Sequence, residues 1–194
     1  MSTPASTPGP GAPGPGPGPG APGRAGDPVE LSVVDAEAME ALGRELSGLL
    51  RAGDLVVLTG PLGAGKTTLT RGLGAGLEVR GQVASPTFVL ARTHPTASGT
   101  PLVHVDAYRL STEAELDDLD LDYEGSIVVV EWGAGLLDGV ADSWLDVVID
   151  RPTGARAEDA PGDPTDPVDP PDEPRRVTIT PHGPRWSGVD LPTG

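Results

Sequence analysis

The single lysine of this 194-residue chain, Lys66, closes the run Gly60-Pro61-Leu62-Gly63-Ala64-Gly65-Lys66-Thr67. That run is G-x-x-x-x-G-K-[ST], the phosphate-binding loop pattern. Every other basic residue is an arginine. A chain that otherwise uses only Arg keeps a Lys where a compact, mobile point charge on β- and γ-phosphates is wanted. The flanks constrain the fold. Asp54–Thr59 reads as a short buried strand, and Thr67–Leu73 as the start of a helix. Strand, glycine-rich loop and helix in that order place converging backbone N–H groups and a helix N-terminus on one anion. Gly63, Ala64, Gly65, Lys66, Thr67 and Thr68 are therefore the nucleotide-binding candidates.

Composition bounds the rest. The net charge of −16 and pI near 4.3 argue against a chain that grips nucleic acid by bulk positive charge. With no cysteine there is no disulfide or zinc–thiolate chemistry. No run approaches the ~18 apolar residues of a membrane span, and the N-terminus lacks a signal pattern. A cytoplasmic protein is the expectation.

Residues 1–26 hold eight Pro and eight Gly, and a disordered tail is expected there. A second such stretch, 157–174, has six Pro and seven acids, and a disordered acidic loop is expected. One domain, residues 27–181, contains that acidic loop and is followed by an expected flexible C-terminus at 182–194. Within the domain Val29–Val33 alternates as a strand, and Asp35 caps a helix carrying Met39, Leu42, Leu46 and Leu49. Phe88–Thr93 and Leu102–Asp106 read as an antiparallel hairpin. Thr112 and Glu115 form a capping box for a short helix, and Ser126–Val130 is a continuous apolar strand. Trp144–Ile149 and Val177–Thr180 read as a final pair. The expected fold is α/β, a P-loop NTPase core with a small mixed sheet.

Triphosphate hydrolysis needs Mg²⁺, which takes hard oxygens. Thr67 offers a hydroxyl, and a strand-end carboxylate supplies or orients the rest. Asp106 and Glu131 both end strands. Glu131 follows a run that is apolar throughout, as in a central strand; the run before Asp106 carries His104 and alternates, as a less buried strand would. Glu131 is therefore placed at the metal. Asp106 is free for the attacking water, or simply caps the turn before Ala107-Tyr108. His104 reads as a hydrogen-bonded structural residue. Trp132 packs on the nucleotide or fills the core. Seven acids within Glu113–Glu124 form a solvated helix face or a docking surface for a basic partner.

Four blocks in order, Gly63–Thr68, Ser85-Pro86-Thr87-Phe88, His104–Leu110 and Glu131-Trp132, closely resemble the bacterial TsaE family over about Val29 to Ile149. That resemblance implies a small ATPase needed to make threonylcarbamoyladenosine in tRNAs that read codons starting with A. It implies ATP and Mg²⁺ as cofactors, with Thr67 and Glu131 at the metal and Asp106 needed for hydrolysis. It places Trp132 beside the nucleotide and Ser85 and Thr87 in a switch-like loop that senses the γ-phosphate. It also implies TsaB and TsaD as partners: TsaD performs the transfer, this chain resets the complex, and tRNA is met only indirectly. Pro61 stands where many members have Asp, and Gly133 where many have Pro. An Arg near the last hairpin approaches the nucleotide in family members; Arg156, Arg175 and Arg176 are the candidates here. The rival reading is a small-molecule P-loop kinase, although only about 65 residues separate Lys66 from Glu131 and no Arg-rich lid is visible.

Overall fold

The computed structural model describes residues 26–86, 88–110, 112–135, 137, 140–151 and 174–193. The tail expected at 1–26, apart from Gly26, and nearly all of the acidic loop expected at 157–174 lie outside the described residues. Seven strands form one sheet: β1 (Val29–Val33), β2 (Leu55–Thr59), β3 (Ala91–His94), β4 (Leu102–Asp106), β5 (Ile127–Glu131), β6 (Trp144–Asp150) and β7 (Arg175–His182). Their order across the sheet is β1-β7-β6-β2-β5-β4-β3. The four inner strands β6, β2, β5 and β4 run parallel, and β7, β1 and β3 join antiparallel at the edges. This is the mixed α/β sheet expected from the sequence. Both expected hairpin pairs form, β3 with β4 and β6 with β7.

Helices α1 (Ala36–Ser47) and α2 (Lys66–Gly76) cover one face of the sheet. The Asp35 carboxylate caps α1 by accepting the Ala38 N–H at 2.8 Å, as its sequence position predicts. Met39, Leu42 and Leu46 turn inward onto Leu69 and Leu73 of α2 and onto Val56, Leu58 and Val129 of the sheet. The two helices cross at very close range. A Cβ on Gly72 would stand 2.2 Å from the Glu40 carbonyl oxygen, so only glycine fits. That crossing fixes α2, whose first turn carries Lys66 and Thr67. On the other face, the short helix α3 (Glu113–Asp117) seats Leu116 on Val103, Val105, Val128 and Val130. Thr112 caps it, accepting the Glu115 N–H at 3.3 Å. Among the described residues no helix is long and apolar enough to cross a membrane.

Three expectations are corrected. β3 begins at Ala91, not Phe88: the N–H groups of Val89 and Leu90 both donate to the Pro86 carbonyl at 2.8 Å, and Leu90 is left-handed (φ 65°), which makes a turn. Phe88 is 93% exposed on it. β4 is not a less buried strand; all five of its residues are buried, His104 completely. The C-terminus is not loose after residue 181. Trp186 is buried, and Val189 and Leu191 pack on the core. Arg185 reaches back to the buried Asp54, Nε to Oδ1 at 2.9 Å and Nη2 to Oδ2 at 2.8 Å. A tryptophan and a forked ion pair give this segment enough to offset its ordering entropy.

Candidate functional site

Parallel strands place their carboxyl ends along one edge, where ligands of open α/β sheets sit. Here β2, β5 and β4 deliver three groups to that edge. β2 runs into the loop Gly60–Gly65, β5 ends at Glu131, and β4 ends at Asp106, which is paired in register with Glu131. They line a cleft of about 430 Å³ together with Leu62, Gly63, Gly65, Lys66, Thr67, Thr68, Arg71, Ser85, Tyr108 and Trp132.

Gly65 caps α2 in the left-handed region (φ 116°), a conformation strained for any other residue. It lets the chain turn from loop to helix with the first N–H groups of α2 unpaired within the helix, as at any helix start. Lys66 is buried at 5% exposure, and its Nζ donates to the carbonyls of Gly60 (2.8 Å) and Pro61 (3.1 Å). The ammonium also stands 3.6 Å over the centre of the Trp132 ring, a cation–π contact. Burial pushes the Lys66 ammonium below the ordinary lysine value, while the Glu131 and Asp106 carboxylates pull it back up.

Trp132 itself is left-handed (φ 64°), unusual for an aromatic residue. Its backbone N–H donates to the Leu58 carbonyl at 2.9 Å, and Tyr108 meets its ring edge-on at 5.3 Å between centroids. Strand end, tryptophan and tyrosine thus form one wall of the cleft. Thr67 Oγ1 donates to Glu131 Oε1 at 2.8 Å, and His104 Nε2 donates to the same oxygen at 2.8 Å. Asp106 Oδ1 accepts the Tyr108 N–H at 3.1 Å, so it caps the turn and also faces the cleft. Its own N–H donates to the Leu90 carbonyl at 2.8 Å, tying it to the loop that follows Ser85.

The structure therefore brings together Gly63, Gly65, Lys66, Thr67, Thr68, Ser85, Asp106, Glu131 and Trp132. Ala64 stands apart: its methyl is fully buried in the core, and its N–H donates to the Pro61 carbonyl at 3.1 Å. Thr87 and Arg156 lie outside the described residues. Arg175 and Arg176 open β7, which is separated from β2 by β6, and neither lines the cleft. The arginine that does is Arg71. Its spacing from Thr67 and Thr68, four and three residues along α2, was a signal available in the sequence. Tyr108 and Leu62 were also missed as lining residues, although Tyr108 lies within a quoted motif.

The family model described as Threonylcarbamoyl adenosine biosynthesis protein TsaE matches residues 33–157. The chain belongs to the TsaE family. It is 54% identical over 157 residues to the Streptomyces coelicolor protein named tRNA threonylcarbamoyladenosine biosynthesis protein TsaE, covering 79% of this chain and 97% of that one. A Mycobacterium tuberculosis protein of the same name is 52% identical over 120 residues, covering 57% of this chain and 71% of its own. The crystal structure of Bacillus subtilis YdiB matches with a TM-score of 0.61 at 28% identity, covering 83% of this chain and 90% of that one. Each of the four sequence blocks that carried the resemblance contributes at least one residue to this cleft.

Proposed function

We propose that this chain acts in the biosynthesis of threonylcarbamoyladenosine in tRNA as a P-loop ATPase, binding ATP in the cleft and hydrolysing it slowly with Mg²⁺. One observation carries the reading. A glycine loop, a helix N-terminus and a buried lysine converge on the same cleft as a hydroxyl and two strand-end carboxylates. The first three suit a chain of phosphates. The hydroxyl of Thr67 and the carboxylates of Glu131 and Asp106 are the hard oxygens that Mg²⁺ takes, so the donor set fits that ion.

In this reading Lys66 exchanges its bonds to the Gly60 and Pro61 carbonyls for phosphate oxygens. Thr67 and Glu131 would hold Mg²⁺, which when bound would supply charge neutralisation for the phosphates. Asp106 orients the attacking water. Its backbone tie to Leu90 carries the nucleotide state to the loop of Ser85 and Thr87. Trp132 and Tyr108 form an aromatic wall for the nucleotide.

The partners are TsaB and TsaD, with tRNA met through them. Leu62 and Tyr108, both on the cleft, are 89% and 67% exposed, and Phe88 and Val89, on the turn after Ser85, are 93% and 55% exposed. Large apolar side chains in water suit a surface covered in a complex. The test is affinity capture of tagged chain with TsaB and TsaD, with and without ATP, beside mass spectrometry of tRNA nucleosides after depletion of the protein. ATP-dependent capture and a fall in threonylcarbamoyladenosine are expected. An unchanged nucleoside level would overturn the assignment and bring forward the small-molecule kinase.

A further inference from the structure

His104 has no exposed surface, sits in the middle of an inner strand, and has one hydrogen bond through its ring. Its Nε2 lies 2.8 Å from Glu131 Oε1, while its Nδ1 is buried without a hydrogen-bond partner. A buried polar atom without a partner is uncommon, so the ring is not there to satisfy its own two nitrogens. An ionised carboxylate only accepts, which fixes the proton on Nε2. The same Oε1 accepts from Thr67 Oγ1, also at 2.8 Å. One oxygen of Glu131 thus takes two donors, from opposite sources: α2 on one side and β4 on the other. The carboxylate is pinned, and Oε2 is the oxygen left to act in the cleft.

We infer that His104 is a positioning residue. It clamps the Glu131 carboxylate so that the Thr67 hydroxyl is oriented and Oε2 faces the cation beside the phosphates. The role rests on the reading of the cleft as an Mg²⁺–ATP site. It parallels the general way in which outer partners orient carboxylates that hold metals, where losing the partner costs roughly 10- to 100-fold in metal affinity. The clamp needs a donor at the ε position only. Gln can place an amide nitrogen there; Asn is one carbon too short, and Leu keeps the volume without a donor.

The experiment titrates Mg²⁺ into full-length chain holding a fluorescent ATP analogue. Analogue affinity in EDTA is measured separately, and a thermal melt checks folding. For H104L and H104N, analogue affinity in EDTA should stay within about twofold of wild type, because the phosphate loop is untouched. The Mg²⁺ concentration at half-maximal response should rise roughly 10-fold or more. H104Q should return to within about threefold of wild type. If H104L fails to fold, H104N, which keeps a polar side chain, decides. Wild-type Mg²⁺ response in H104N, or a loss in H104Q equal to that in H104L, overturns the clamp. Failure of the wild-type protein itself to bind the analogue, or to respond to Mg²⁺, overturns the reading of the cleft instead.

Discussion

Replacing Arg185 by Ala tests how firmly the C-terminal segment is held. The guanidinium makes three side-chain hydrogen bonds: two to the Asp54 carboxylate, at 2.9 and 2.8 Å, and one to the Leu49 carbonyl at 2.7 Å. It also lies 4.3 Å over the Trp186 ring. Asp54 is 4% exposed. Without Arg185, its remaining donor is the Arg51 N–H at 2.9 Å. Removing one partner of a buried pair costs about 3–5 kcal/mol, because the other charge stays buried. The Arg185 side chain is 16% exposed, so water enters the gap, and the lower end, about 3 kcal/mol, is expected. At roughly 3 °C per kcal/mol for a chain of this size, the melting temperature should fall by about 10 °C. Urea unfolding should show the midpoint moving with little change in slope. R185K should recover less than half of the loss, since an ammonium cannot span both carboxylate oxygens and the Leu49 carbonyl. The double variant D54A/R185A should be less destabilised than the two single losses added together. A loss in R185A of under about 0.5 kcal/mol, the range of ordinary surface changes, would refute the docked C-terminus.

Lys66→Ala should weaken ATP binding roughly 10- to 100-fold with the fold intact, since one charge-assisted phosphate contact is worth about 1.5–3 kcal/mol; isothermal titration calorimetry of ATP into the variant checks it. Glu131→Ala should remove Mg²⁺-dependent hydrolysis, while Asp106→Ala should spare Mg²⁺-dependent binding and lose turnover. Steady-state phosphate release measured beside Mg²⁺ titration would expose a reversal of the two roles. Gly72→Ala should destabilise by about 1–3 kcal/mol, the usual range for overpacking, because a Cβ there meets the Glu40 carbonyl oxygen at 2.2 Å. A melting curve equal to wild type would mean that α1 and α2 part freely.

Much of this protein is written locally. The glycine loop needs its own φ angles and its own lysine, so its pattern is contiguous and readable. The Asp35 cap, the periodic face of α1 and the apolar run of β5 are likewise short-range. The pairing of β3 with β4 followed from a short connection that permits only an antiparallel return. Glu131 does reach the cleft, but β4 is as buried as β5. His104 gave β4 the look of a half-exposed strand, whereas every residue of β4 is buried. A strand pattern records polarity, and it cannot distinguish a polar residue that faces water from one whose partner arrives on the next strand.

Tertiary structure alone supplied that partner. His104 and Glu131 are 27 residues apart, Thr67 and Glu131 are 64 apart, and Arg185 and Asp54 are 131 apart. Each pair forms because the sheet order sets β5 between β2 and β4 or because the chain end folds back to the segment that follows α1. No local preference encodes those neighbours; they follow from burying both faces of one sheet at once. The sequence by itself determined which groups this chain brings to the cleft. The packed sheet decided which oxygen holds which donor, and that a segment read as loose is fastened to the core.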